Sequence, residues 1–167
     1  AVDPNQAMQN GITPLYIAAQ DGHEAVVRLL LAHAAVDPNQ AEEDDWTPLF
    51  IAAQNGREAV VELLLAHAAV DANQAIPNGS TPLYEAASCG HEAVVRLLLA
   101  HAAIDPNQAT QNGGTPLFIA AQEGHDAVVA RLLAGGAAVD QVNNNGASPP
   151  LGMASMNGHA AVIELLL

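Results

Sequence analysis

The chain has 167 residues, half of them hydrophobic, and a formal net charge of -14 that sets 18 carboxylates against four arginines and no lysine. That apolar fraction can bury a core and argues against disorder, and an aromatic content of 3% suits close-packed alanine- and leucine-rich helices better than a sheet whose pleats need bulky residues. Nucleic acids and anionic membrane surfaces both require clustered Lys or Arg, so both are excluded as partners.

No apolar run approaches the roughly 18 residues of a membrane span, and no signal-peptide pattern opens the chain. Cys89 is the single cysteine and has no partner for an internal disulfide, so folding does not depend on an oxidising compartment. A soluble, cytoplasmic protein is expected.

In chain order, residues 1–12 resemble the linkers that precede each later unit. Thr13 then opens a Thr-Pro-Leu triplet that returns at Thr47, Thr81 and Thr115, always 34 residues on. Threonine at an N-cap followed by proline predicts a helix start: the hydroxyl satisfies an orphan N–H, and proline has none to satisfy. First helices are therefore expected from Pro14, Pro48, Pro82 and Pro116, ending near Gly22, Gly56, Gly90 and Gly124, where the chain must reverse. A second helix follows each glycine. In the first unit Val26, Val27, Leu30 and Leu31 form its apolar face, Arg28 faces out, and Glu24 lies four residues before Arg28 as a weak supporting pair. A shorter fifth copy runs from Pro149 to Leu167 and ends its chain reversal at Gly158. The expected division is one domain over residues 1–167: a linker (1–12), repeats at 13–46, 47–80, 81–114 and 115–148, and a partial repeat at 149–167.

A 34-residue period alone also fits the tetratricopeptide repeat. However, Thr-Pro-Leu, Ala-Ala, Gly-His, Val-Val and Leu-Leu-Leu in succession resembles the ankyrin repeat, and no Trp/Leu-Gly/Tyr tetratricopeptide signature is present. The resemblance covers residues 13–167. It implies an all-α ankyrin-repeat solenoid of helix-turn-helix units, joined by hairpin-like loops at right angles to the helices. It also implies a protein-binding function with no enzymatic activity and no cofactor. The family's histidine after Thr-Pro-Leu, a polar strut between units, is replaced by Tyr16, Phe50, Tyr84, Phe118 and Gly152, so aromatic stacking along the array is expected in its place. The family's glycine after helix two is replaced by Ala34, Ala68 and Ala102, and only Gly136 keeps it. Either these alanines bear a left-handed backbone at a cost of about 1 kcal/mol, or a change of loop length relieves it.

Between copies, variation gathers in a five-residue tip before each Thr-Pro-Leu and in the pair before each Gly-His. Loops on a rigid scaffold are where binding chemistry concentrates, and in an ankyrin-like stack these positions imply the fingertips and the concave recognition surface. The candidate partner-binding residues are Met8, Gln9, Asn10 and Ile12; Gln20 and Asp21; Glu42, Glu43, Asp44, Asp45 and Trp46; Gln54 and Asn55; Ile76, Asn78 and Ser80; Glu85, Ser88 and Cys89; Thr110, Gln111 and Asn112; and Gln122 and Glu123. Trp46, the only tryptophan, reads as an exposed anchor beside an acidic run, which points to a partner with a basic surface and an apolar notch. The competing reading folds Trp46 back onto its own repeat. The units are so alike that the chain resembles an engineered or consensus-derived ankyrin protein. The alternative is a fragment of a natural multidomain protein, such as a bacterial or protist effector.

The other chemistries considered are catalysis, metal binding and phosphate binding. His33, His67 and His101 form one file, and His23, His91, His125 and His159 form another. Members of a file in stacked helix pairs lie about 10 Å apart, too far to share a zinc ion whose bonds are about 2 Å. Cys89 near His91 lacks a third orienting group. Asn10-Gly11, Asn55-Gly56, Asn78-Gly79, Asn112-Gly113, Asn145-Gly146 and Asn157-Gly158 are turn dipeptides without the lysine of a phosphate loop. The Glu42–Asp45 run lacks EF-hand spacing. No metal and no cofactor are expected. A monomer is expected, with weak self-association through an uncapped last helix.

Overall fold

A computed structural model describes residues 2–142 and 149–167; the Asn145-Gly146 turn and the join between the fourth and fifth copies lie outside them. Ten α-helices follow one another in pairs: α1 (Pro14–Asp21) with α2 (Glu24–Leu31), α3 (Pro48–Gln54) with α4 (Glu58–Leu65), α5 (Pro82–Ser88) with α6 (Glu92–Ala100), α7 (Pro116–Glu123) with α8 (Asp126–Ala134), and α9 (Pro150–Asn157) with α10 (Ala160–Leu166). No strand occurs among the described residues.

The start of each odd helix follows from its sequence. Thr13, Thr47, Thr81 and Thr115 are buried, and each Oγ1 accepts from the backbone N–H three residues on, at 3.1 to 3.2 Å. α9 begins behind Pro149 and has no such side-chain cap.

Two layers result. Each odd helix packs on the next odd helix, each even helix on the next even one, and the two members of a pair pack on each other. The shared core is small-residue-rich: Ala52, Ala53, Ala86, Ala87, Ala120 and Ala121 are fully buried under Leu49, Leu83 and Leu117, with Val61, Val95 and Val129 from the even helices. Alanine lets the helices approach closely, and leucine and valine fill the space between the layers. The helix contacts run within units and between consecutive units, so stability is expected to approximate a nearest-neighbour sum.

Across every joint between units runs a set of side-chain to backbone hydrogen bonds that the sequence reading did not anticipate. Asp3, Asp37, Asp71 and Asp105 each accept, at 2.9 to 3.0 Å, from the N–H of the asparagine two residues on. The asparagine so presented reaches the next linker: Asn5 Nδ2 donates to the Ala35 carbonyl (2.6 Å) and Asn5 Oδ1 accepts from Asp37 N–H (2.8 Å). Asn39 repeats both bonds with Ala69 and Asp71, Asn73 donates to Ala103, and Asn107 bridges Gly136 and Ala138. The Asp-x-Asn that recurs in the first four linkers was the signal for it.

Ring stacking does not run along the array in place of the family's polar strut. Among the described residues the aromatic contact is between Trp46 and Phe50, not between successive members of the Tyr16, Phe50, Tyr84, Phe118 file. The alanines after helix two are unstrained as well. Ala34, Ala68 and Ala102 have no left-handed φ, because a turn closed by His33 carbonyl to Val36 N–H (2.9 Å), and its copies, carries the chain out of the helix. The fourth copy has one more residue here and uses Gly136 at φ +88 instead.

Two measurements check this architecture. Deleting residues 47–80 is expected to leave a cooperatively folded helical protein with a lower denaturant midpoint; loss of the far-ultraviolet helical signal in water would contradict nearest-neighbour stability. Asn39→Ala is expected to cost about 1–2 kcal/mol in denaturant unfolding, because it strips the partners from Ala69 carbonyl and Asp71 N–H.

Candidate functional site

The five-residue tips close as small hairpins, with N–H to carbonyl bonds from Met8 to Ile12 (2.9 Å), Glu42 to Trp46 (3.2 Å), Ile76 to Ser80 (3.0 Å) and Thr110 to Gly114 (2.9 Å). Their fourth residues have left-handed backbones: Gly11 at φ +75, Asp45 at +65, Gly79 at +88 and Gly113 at +80. Neighbouring tips also bond. Glu43 N–H donates to the Asn10 carbonyl at 3.1 Å and Gln111 N–H to the Asn78 carbonyl at 2.8 Å, and the Gln111 side-chain amide donates to the Pro77 carbonyl.

The joint between the second and third tips is different. The donor there would be Pro77, which has no N–H. The glycines of paired tips sit close to the next tip: a Cβ on Gly11 would come 3.1 Å from the Glu42 Cα, and one on Gly79 would come 2.9 Å from Gln111 N. Asp45 carries such a Cβ, at the joint where Pro77 has removed the bond. The row of tips is thus two pairs, and the acidic run occupies the break.

Several candidate residues are used inside the fold. One Glu42 carboxylate oxygen accepts from Asp44 N–H (2.9 Å) and Trp46 N–H (3.2 Å), Asn78 Oδ1 holds Ser80 N–H (2.7 Å), and Thr110 Oγ1 holds Gly114 N–H (3.1 Å). Ser80 is 3% exposed, so it is structural and does not reach a partner. Trp46 is half-buried, its ring tilted at 47° with its centroid 5.2 Å from that of Phe50. It is not the freely exposed anchor that the sequence suggested, because Phe50 and the core beside it offer the indole apolar cover that water does not. Ile12 and Ile76 are half-buried too.

The structure leaves Met8, Gln9, Asn10, Gln20, Asp21, Glu43, Asp44, Asp45, Asn78, Cys89, Gln111, Asn112 and Glu123 exposed. Gln54, Asn55, Ser88 and Gln122 are half-buried at the ends of the odd helices and Glu85 is half-buried within α5, and Gln54 Nε2 donates to Glu85 Oε1 at 3.1 Å across a joint. Burial first, then the Glu42 and Asp44 carboxylates, push the Tyr16 hydroxyl above its usual range. Burial and then Glu85 likewise raise the Cys89 thiol, opposite to what a nucleophilic thiolate needs.

Three of the four members of the second histidine file are structural. His91 Nε2 lies 2.8 Å from the Gln54 carbonyl, His125 Nε2 3.0 Å from that of Ser88, and His159 Nε2 2.9 Å from that of Gln122; Arg57 Nε does the same at the Gln20 carbonyl, at 3.0 Å. Each ring or guanidinium stem lies on the left-handed glycine of the preceding unit. Among the described residues no three His, Cys, Asp or Glu side chains gather into a metal-ligand cluster, and no helix is long and apolar enough to cross a membrane.

A family model described as ankyrin repeats (3 copies) matches residues 1–76, 35–110, 67–143 and 103–167. No curated protein matches the chain.

Asp45→Gly is expected to raise stability by about 0.5–1 kcal/mol, because glycine takes a left-handed backbone without the Cβ penalty. An unchanged or lowered urea midpoint would show that the aspartate side chain offsets its own strain.

Proposed function

The chain belongs to the ankyrin-repeat family, whose members are protein-interaction modules, and from that premise we propose that it is a non-enzymatic scaffold binding a protein partner that carries a basic surface. The second tip, Glu42 to Trp46, meets that surface, and the exposed ends of the odd helices flank it. One observation carries the reading: Glu43, Asp44 and Asp45 are exposed, and no cation among the described residues pairs with them. Arg28 pairs with Glu24 (2.8 Å) and Arg131 with Glu92, while Arg57 is spent on a carbonyl.

Open like charge at a loop tip speeds encounter with an opposite surface and weakens as salt screens it. The break at Pro77 supports the same site, since the tip is not tied to its successor. Near-identical units that vary mainly at tips and helix ends favour an engineered or consensus-derived array. As part of a natural multidomain protein the same array would carry its chemistry elsewhere, and an appended domain in a longer sequence would separate the two origins.

The test replaces residues 42–46 with the 110–114 sequence. Proteins retained by the immobilised native chain are identified, and the Kd of one basic protein among them is measured with both forms at low and high salt. The exchanged chain is expected to keep its helical signal, to lose at least tenfold in affinity at low salt, and to show a flatter salt dependence. Equal affinity at both salts would place recognition elsewhere.

A further inference from the structure

One position on the odd helices breaks the pattern of the array. Four residues after the Thr that opens each helix stand Ile17, Ile51 and Ile119, and Met153 stands four after Pro149; the third copy has Glu85 in that place. Ile51 and Ile119 are 2% and 8% exposed and belong to the core, so the stack favours an apolar side chain there. Glu85 is half-buried, and taking a carboxylate out of water costs free energy unless hydrogen bonds or a cation replace the lost hydration.

Within the chain that replacement is incomplete. The helix fixes the residue, with Glu85 N–H donating to the Thr81 carbonyl and the Glu85 carbonyl accepting from Cys89 N–H, both at 3.0 Å. Of the two carboxylate oxygens, Oε1 accepts from Gln54 Nε2 at 3.1 Å, and Oε2 has no hydrogen-bond partner among the described residues. The ion pairs among those residues are His23 with Asp21, Arg28 with Glu24 and Arg131 with Glu92, and none includes Glu85. Its charge is felt close by. Burial, then Glu85 and Glu123, push the Tyr84 hydroxyl above its usual range. That hydroxyl lies 3.6 Å from where a Cβ on Gly114 would stand, so Tyr84, next to Glu85 on α5, reaches the base of the fourth tip, on the side that a partner held by the tips would cover.

We propose that Glu85 is a second anchor of the binding surface and takes one arginine side chain of the partner, the guanidinium donating to Oε2 with Tyr84 beside it. This rests on the reading of the chain as a scaffold for a basic protein and adds to it a position and a side chain. Arginine suits the place better than lysine because the carboxylate is half-buried. A guanidinium is more weakly hydrated than an ammonium, so it gives up less on leaving water, and its flat face stacks on an aromatic ring. The rival is that Glu85 is only a strut to Gln54. A strut needs no charge, since a glutamine carbonyl would accept the same N–H, and the other units do without one by placing isoleucine or methionine there. A residue that breaks the pattern of its copies without serving the stack is expected at a functional position.

The test is a nuclear magnetic resonance titration of the isotope-labelled 167-residue chain with the peptide acetyl-Gly-Arg-Gly-amide. Peptides with lysine or citrulline in place of arginine are the controls, citrulline having the shape of arginine without its charge. The arginine peptide is expected to give saturable shifts centred on Glu85, Tyr84 and Gln54, the lysine peptide to bind more weakly there, and the citrulline peptide to give none. Glu85→Gln, which keeps an acceptor for Gln54, is expected to weaken arginine binding at this place about tenfold and to leave any shifts at Glu43 to Asp45 unchanged. Glu85→Ile, the residue of the other copies, is expected to raise the urea midpoint while removing the same shifts, so stability and binding move in opposite directions. Arginine shifts confined to the second tip, shifts at Glu85 that persist in Glu85→Gln, or equal binding of the lysine peptide overturn the proposal. So does a urea midpoint lowered by both substitutions, which is the mark of a strut. Shifts at Glu85 with none at the second tip sustain this anchor and overturn the tip reading instead.

Discussion

The whole array rests on one contact, a side chain of each following unit laid across the glycine that ends the odd helix of the unit before it. The glycine is required twice over at these points. Its backbone is left-handed, at φ +66 to +80 for Gly22, Gly56, Gly90 and Gly124, and a Cβ would come within 2.5 to 2.8 Å of the histidine rings at Gly56, Gly90 and Gly124. The ring then reaches a carbonyl at the end of an odd helix, where helical C=O groups lack partners. One residue thus ends a helix, clears a seat and orients an acceptor. Arg57 shows that the seat accepts more than imidazole, provided that the group is flat or slender and carries an N–H.

A stack held by repeated local joints leaves its unit-to-unit variation where joints do not reach. Core positions are copied because each must fit the unit on either side: alanine where odd helices meet, valine and leucine between the layers. The tips bond only to their neighbours' tips, and even that bond is dispensable, as Pro77 shows. At that one joint a proline without a donor and an aspartate with a Cβ stand opposite each other. The structure tolerates both because the linker asparagine below them, Asn39, still bridges to Ala69 and Asp71.

Electrostatics sets a second condition on how the array works. Arg28 and Arg131 pair with glutamates elsewhere on the stack and Arg57 bonds a carbonyl, so among the described residues no ion pair neutralises the second tip. Charge of one sign on a protein costs some stability through self-repulsion and favours encounter with the opposite sign.

Much of this protein was legible in its sequence because its elements are local. Thr-Pro marks a helix start through bonds that span three residues, glycine marks a reversal through its own φ, and the 34-residue spacing repeats both until the pairing of helices is unambiguous. The same locality showed where variation gathers. What required the tertiary structure were contacts between units, which no single repeat contains. Asp-x-Asn carried no reading until its amide was placed on the next linker, and Gly-His looked like a helix end until the ring of the following unit lay on the glycine. Trp46 looked exposed because a loop tip is normally wet; the position of Phe50 decided otherwise. Whether Ala34, Ala68 and Ala102 were strained turned on a turn geometry that one residue of loop length alters. The sequence determines the unit and its period, and only the packed stack determines which side chains are spent on the neighbouring unit and which remain to meet a partner.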